Sequence, residues 1–225
     1  MTLEDMKTLL AGRLGQRTDI DDMIYSEIRQ AQRTLEKTPP YPWFLVISEV
    51  KEYALGNTVL PDKFIETFDD IVYITKATND VTYYNPMLKV YGTEMEYLNQ
   101  HAWGTLGRPK NFTIDANTIS LAPAPDVSYT FFLLYYAKEP VLASPASENK
   151  WSNRAEDLLI AEAGWHVARN IRDNEAAAMF GQDRAEARRR IAQETTSRRE
   201  SMRRAVIAAG EDAMLGEQTR ENSFS

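Results

Sequence analysis

Tyr129–Ala137, YTFFLLYYA, decides how this chain is read: it is an unbroken apolar and aromatic run closed by Lys138-Glu139-Pro140. A helix needs roughly 20 apolar residues to cross a bilayer, so this run reads instead as a strand buried on both faces. Downstream, the polar stretch SPASENKWSNRAED (144–157) leads into a long helical segment that begins apolar and becomes rich in arginine. A buried strand that hands over to a long terminal helix, with no catalytic signature beside it, indicates a structural part and not an enzyme.

Upstream of that strand, from about Trp43 to Pro140, the pattern is one of short strands between turn residues. FLVISEV, KFIETFDDIVYIT, DVTYY, NFTI and TISLAP are the other candidates, several of them alternating or rich in β-branched and aromatic residues. Gly56-Asn57, Asn79-Asp80, Asn85-Pro86 and Ala116-Asn117 mark turns. One short helix interrupts the strands, where Thr93-Glu94-Met95-Glu96 has capping-box spacing. The region 41–140 therefore reads as an antiparallel β-sandwich or barrel-like insertion.

Helices flank it. Residues 2–11 suit a short helix stopped by Gly12 or Gly15. A second helix begins at Thr18-Asp19-Ile20-Asp21, with Thr18 as cap and acids at its positive end. Ile20, Ile24, Ile28, Ala31 and Leu35 form one apolar stripe, and Pro39-Pro40 ends the helix. On the third helix, Leu158, Ile160, Ala161, Gly164, Trp165, Val167, Ala168 and Ile171 cover one half, with Glu162, His166, Arg169 and Asp173 on the other. Gly181 is expected to break or kink it, with Asp183 recapping a helix that runs to about Ala209. That last helix is polar nearly all round and has little reason to join a monomer core; it projects outward or packs on another subunit.

The fold class is therefore α+β: a helical bundle with an inserted antiparallel β-domain and an extended C-terminal helix and tail. Its parts are 1–40 (N-terminal helices), 41–140 (insertion), 141–210 (long C-terminal helices) and 211–225 (flexible docking tail).

Composition narrows function. The chain has 225 residues, is 43% hydrophobic and carries a net charge of −7. It has no cysteine, which excludes disulfide frameworks, thiolate zinc sites and cysteine nucleophiles. MTLEDMKTLLAGRLGQR lacks the apolar core of a signal peptide, and no stretch reaches transmembrane length, so the chain is expected to be soluble, free of membrane and made in the cytoplasm. Residues 184–204 hold eight arginines against three acids, a balance of +5, which leaves −12 for the remainder. An acidic body with a basic helical end suggests an acidic docking partner.

Few residues are candidates for chemistry. There is no phosphate-cradling glycine loop, no HExxH and no GxSxG. Glu162 and His166 are conceivable as metal ligands or as an acid–base pair, but they suit a solvated or intersubunit face with i,i+4 pairs Glu162–His166 and Arg169–Asp173 better. Asp69-Asp70 would point to opposite faces of a strand, which argues against paired hydrolytic carboxylates. The arginine helix 184–204 offers a nucleic-acid-binding alternative. Its arginines, however, spread round the circumference among acids, with no aromatic residue between them to stack on bases. Trp43, Trp103, Trp151 and Trp165 read as core residues. No cofactor and no metal is expected.

Several segments, taken in order, resemble a known family. They are GRLGQR (12–17), IRQAQRTLEKTPPYPWFL (28–45), TVLPDKFIE (58–66), GRPKNFTID (107–115), TISLAPAPDVSYTFFLLYYAKEP (118–140), Asn149-Lys150-Trp151 and RAEDLLIAEAGWHVARNIRDNEAAAMF (154–180). Over residues 12 to about 190 the chain resembles the head-to-tail adaptor, or connector, proteins of tailed bacteriophages, especially short-tailed ones. The resemblance implies a virion protein at the head–tail interface, without catalytic residues. It would form a twelve-fold ring below the portal protein, extend the channel through which genomic DNA passes without sequence recognition, and carry a tail-tube or nozzle component. It also implies that the C-terminal segment docks on the portal. By position, the docking residues would be Arg198, Arg199, Arg203, Arg204, Met214, Leu215 and Phe224.

Overall fold

The computed structural model describes residues 1–17, 19–53, 58–68, 71–76, 85–101, 106–115 and 117–221. The strand expected at DVTYY, the turns at Gly56-Asn57 and Asn79-Asp80, and the residues Thr18, Asp69, Asp70, Trp103, Ala116 and Phe224 lie outside them. The fold is mixed α+β and divides into two compact units. One is Met1–Leu45 with Lys138–Glu200; the other is Val46–Ala137 with the chain from Ser201 onward.

In the first unit, α1 (Leu3–Arg13) opens on a capping box: Thr2 accepts from the Asp5 N–H and Asp5 accepts from the Thr2 N–H. These bonds hold the Asp5 carboxyl below its ordinary range. The helix passes through Gly12 and ends at Leu14, just before Gly15, whose φ of +79° only glycine adopts freely. Helix α2 (Asp21–Leu35) buries Ile24, Ile28, Ala31 and Leu35, the expected stripe. Its N-cap is Ile20, with no side-chain cap bond, where Thr18 was expected to cap. Helix α2 packs on α1 and on α5 (Glu156–Asn170), whose first turn follows the short α4 (Lys150–Arg154).

The chain breaks after α5 at Arg172 (φ +61°), and Asp173 Oδ1 accepts the Ala176 N–H at 2.9 Å to start α6. The break expected at Gly181 is thus displaced upstream. Gly181 lies inside α6, which runs unbroken over Asn174–Glu221. Ala, Glu, Gln and Arg dominate that sequence and it holds no proline, so nothing in it terminates a helix. The backbone is helical through most of the segment read as a flexible tail from residue 211.

Helix α6 also corrects the expectation that its helix lacks a core to join. Ala176, Phe180, Ala187, Ile191 and Thr195 are buried on it. Gly164 of α5 lets it come close: a Cβ there would lie 2.6 Å from the Phe180 ring. One aromatic and one isoleucine, aided by small residues, suffice where the facing helix offers glycine and alanine.

The second unit holds eight strands in one hydrogen-bonded sheet: β1 (Val46–Tyr53), β2 (Thr58–Val59), β3 (Phe64–Thr67), β4 (Ile71–Lys76), β5 (Asn85–Lys89), β6 (Asn111–Asp115), β7 (Thr118–Ala122) and β8 (Tyr129–Ala137). Their order is β1-β8-β4-β5-β6-β7-β2, with β3 also on β8, and the described strands close no barrel. β8, the opening run, is the organising strand. It pairs antiparallel with the whole of β1 on one edge, and with β3 and β4 on the other. The run KFIETFDDIVYIT is therefore two strands on one edge of β8, and the Phe68 N–H between them still bonds Leu134 O at 2.9 Å.

The expectation of a purely antiparallel insertion is corrected at β5–β6, which pair in parallel. A parallel pair needs a crossover longer than a hairpin. The short helix predicted at Thr93–Glu96, here α3 (Gly92–His101), lies on that connection and packs on β6 and β7. Asn85-Pro86, read as a turn, begins β5. Leu60, Met87, Phe112, Ile119, Leu121, Tyr129, Leu133 and Tyr135 form the core of this unit. The expected burial on both faces holds for the end of β8, where Tyr135, Tyr136 and Ala137 are all buried.

Candidate functional site

Parts of three of the segments that carry the family resemblance meet in the first unit, around one carboxylate. Glu36, at the end of α2, is buried. Its Oε1 accepts hydrogen bonds from Gln32 Nε2 at 3.1 Å, Trp151 Nε1 at 3.0 Å and the Glu139 N–H at 3.1 Å. Asn149 Nδ2 donates to Gln32 Oε1 and to Pro140 O, and Gln32 Nε2 also reaches Glu139 O and Pro140 O at 3.2 Å. IRQAQRTLEK, KEP and NKW are thus three strands of one buried polar network. It joins the end of α2 to residues 139–140 and to α4. Phe44 packs edge-on to Trp151, with centroids 5.2 Å apart, which adds the Trp-Phe segment to the same junction.

Outward from this junction lies the arginine face of α6. Glu162, on α5, is 2% exposed. Arg184 Nη1 donates to its Oε1 at 3.4 Å and Arg188 Nη2 to its Oε2 at 2.8 Å. Four residues apart, those arginines share one face of α6 and close over the carboxylate together. Arg190 donates to Asp157 in the same way. His166 Nε2 stands 3.9 Å from Glu162 Oε1.

The expected i,i+4 pair Glu162–His166 is present, but the solvated stripe is corrected at Glu162 and the Arg169–Asp173 pair gives way to other partners. Glu162 is covered by α6, Asp173 caps α6, and Arg169 stacks on Trp165 at 4.6 Å. The physical reason is the reversal at Arg172, which folds α6 back along α5 and brings cations to a buried acid. Three arginines of the 184–204 stretch are bound to carboxylates of the chain itself, which offsets part of that stretch's positive charge.

Two indoles gather the remaining cations. Trp165 carries Arg169 and Arg184, the latter 4.3 Å from its centroid. Trp43, just before β1, lies against the guanidinium of Arg198 at 3.8 Å and that of Arg154 at 5.9 Å, while its N–H donates to Thr195 Oγ1 at 3.1 Å. Of the tryptophans read as core, Trp151 is buried; Trp43 and Trp165 are half-buried platforms for arginine. Sequence reading passed over Trp43 and Arg154 as partners of Arg198, because no spacing rule joins residues 43, 154 and 198.

Of the residues placed by position on the docking end, Arg198 is exposed and Arg199 half-buried. Arg203, Arg204, Met214 and Leu215 lie along α6. His101 closes α3. Among the described residues no group of three or more His, Asp or Glu side chains is placed to hold a metal ion, and no described helix is long and apolar enough to cross a membrane. The small cavity of about 50 Å³ beside Pro39, Pro40, Trp151, Leu158, Arg188 and Ile191 has room for little more than water.

Comparison with curated proteins gives no match. The family model described as SU10 adaptor protein matches residues 1–208, which takes in both compact units and α6 well past the arginine face. The chain therefore belongs to the SU10 adaptor protein family, structural adaptors of bacteriophage particles.

Proposed function

We propose that the chain is the head-to-tail adaptor of a tailed phage virion. Twelve copies form a ring that attaches to the portal protein, extends the DNA channel and carries the next tail component. The observation that carries this reading is the family match over residues 1–208. The fold accords with it. Helices form one compact unit, knit by a buried network at Glu36, and the inserted sheet lies in the other. A ring repeats one heterologous contact until it closes, so each copy must bear two complementary surfaces. An acidic body lets DNA slide past without sticking.

The segment from Arg199 onward is the portal-docking element, with Arg199, Arg203, Arg204, Met214, Leu215 and Phe224 as its contact residues. Twelve copies multiply a modest contact of this kind by avidity. Mass photometry or cryo-EM of the protein mixed with the cognate portal tests the reading: a ring on the portal is expected, and failure to bind it at micromolar concentration would sink the proposal. Deleting residues 205–225 is expected to weaken portal pull-down while the body stays folded. An unchanged pull-down would move the docking surface elsewhere.

A further inference from the structure

We infer that Trp43, Arg154 and Arg198 form a carboxylate-binding site on the helical unit, and that its occupant is the acidic surface of a second copy of this chain. The inference rests on the adaptor-ring reading and names one of the two surfaces that a heterologous ring contact needs.

Both guanidiniums lie against the one indole of Trp43, Arg198 at 3.8 Å and Arg154 at 5.9 Å. A stacked guanidinium is oriented by its flat face and keeps its edge N–H donors for another partner. Trp43 is itself anchored, through its backbone N–H to Thr195 Oγ1, on the helix that carries Arg198. Arg154 and Arg198 are both exposed. Neither has a carboxylate within ion-pair distance among the described residues, whereas Arg13, Arg17, Arg184, Arg188 and Arg190 each have one. The site is thus two exposed guanidiniums held on one indole, without a carboxylate partner among the described residues.

Carboxylates suit it better than nucleic acid. Two arginines neutralise only two phosphates, too few contacts to hold a nucleic acid against physiological salt. A second copy is the complementary partner. Outside residues 184–204 each copy has a balance of −12, so it brings an acid-rich surface to its neighbour's cation pair.

The test compares self-association of full-length wild type with Arg154→Glu/Arg198→Glu and with Trp43→Leu, by mass photometry and sedimentation velocity, alone and with portal present. Circular dichroism melts verify that each variant is folded. If the charge-reversed protein does not fold, Arg154→Gln/Arg198→Gln replaces it. The expected result is a tenfold or larger weakening of assembly in the arginine variants, a smaller one in Trp43→Leu, and loss of wild-type assembly as salt rises from 0.05 to 0.5 M. Wild type and folded arginine variants that assemble equally would overturn the site and leave the adaptor reading intact. A wild type that stays monomeric, both alone and with portal, would overturn both.

Discussion

Glu36 Oε1 accepts the indole N–H of Trp151 at 3.0 Å, across 115 residues of sequence. The same oxygen takes two further donors, so one carboxylate ties the end of α2 to the segment leaving β8 and to α4. Replacing Glu36 by Leu strands three donors, two of them side chains in a buried network, and is expected to cost about 3 kcal/mol of unfolding free energy. Trp151→Phe keeps an aromatic ring but loses the N–H donor and part of the indole's volume, and should cost about 2 kcal/mol. Urea unfolding measures both, and equal costs would show that ring packing, not hydrogen bonding, matters at this junction.

Glu162 binds Arg184 and Arg188 across the α5–α6 contact. Glu162→Gln keeps the shape and removes the charge that two cations face. Because both arginines are partly solvated, the expected loss is moderate, about 1–2 kcal/mol. A double-mutant cycle with Arg188→Met should return a coupling energy of at least about 0.5 kcal/mol. A cycle that closes at zero would mean that the two side chains do not depend on each other.

Gly164 faces Phe180 with no room for a methyl group, since an added Cβ would stand 2.6 Å from the ring. Phe180 is fully buried, so it has nowhere to swing. Gly164→Ala gains helix propensity of about 1 kcal/mol and should still lose about 1–3 kcal/mol net through overpacking. Adding Phe180→Leu is expected to recover part of that loss. Thermal melts of the two single variants and the double variant settle it, and a stabilised Gly164→Ala would refute the close approach of the two helices.

Tyr129 is buried and donates to Asp126 Oδ1 at 2.6 Å. Burial first, and that hydrogen bond to a carboxylate next, push its hydroxyl up to about 12. An unfolded tyrosine loses its proton near 10, so between about pH 10 and 12 the native chain holds a proton that the unfolded chain has shed. Stability from this group is full below pH 10 and falls as pH rises through that window. Tyr135, buried and bonded to Glu49, is pushed up further and acts in the same direction. Urea midpoints at pH 8 and 10.5 should fall less in Tyr129→Phe than in wild type, and parallel slopes would refute the shift.

How far the chain could be read from its residues depends on the range of the forces involved. The stripe of α2, the run in β8, a short helix around Thr93–Glu96 and the strands at NFTI and TISLAP are set by neighbours within a turn or two, and each is present, although α3 begins at Gly92, ahead of the expected cap. The break at Arg172 and the start of α2 at Ile20, without a side-chain cap, were not legible. A left-handed arginine leaves no mark in composition, and a helix can begin without a side-chain cap when its stripe is well packed.

The sequence by itself determined that a β-region lies between helices, that its last strand is YTFFLLYYA, and that cations collect on the terminal helix. Tertiary structure alone decided what those cations do. Glu162 looked solvated on a helical wheel, yet the reversal at Arg172 buries it beneath Arg184 and Arg188. Only the fold sets Arg154 and Arg198 against Trp43. It likewise turns the short α3 into the crossover of a parallel strand pair. The reason is common to all three: local spacing fixes which face a side chain takes, while the partner across that face comes from another element, from 22 residues away at Arg184 to more than a hundred at Trp43, brought there by the burial of the core.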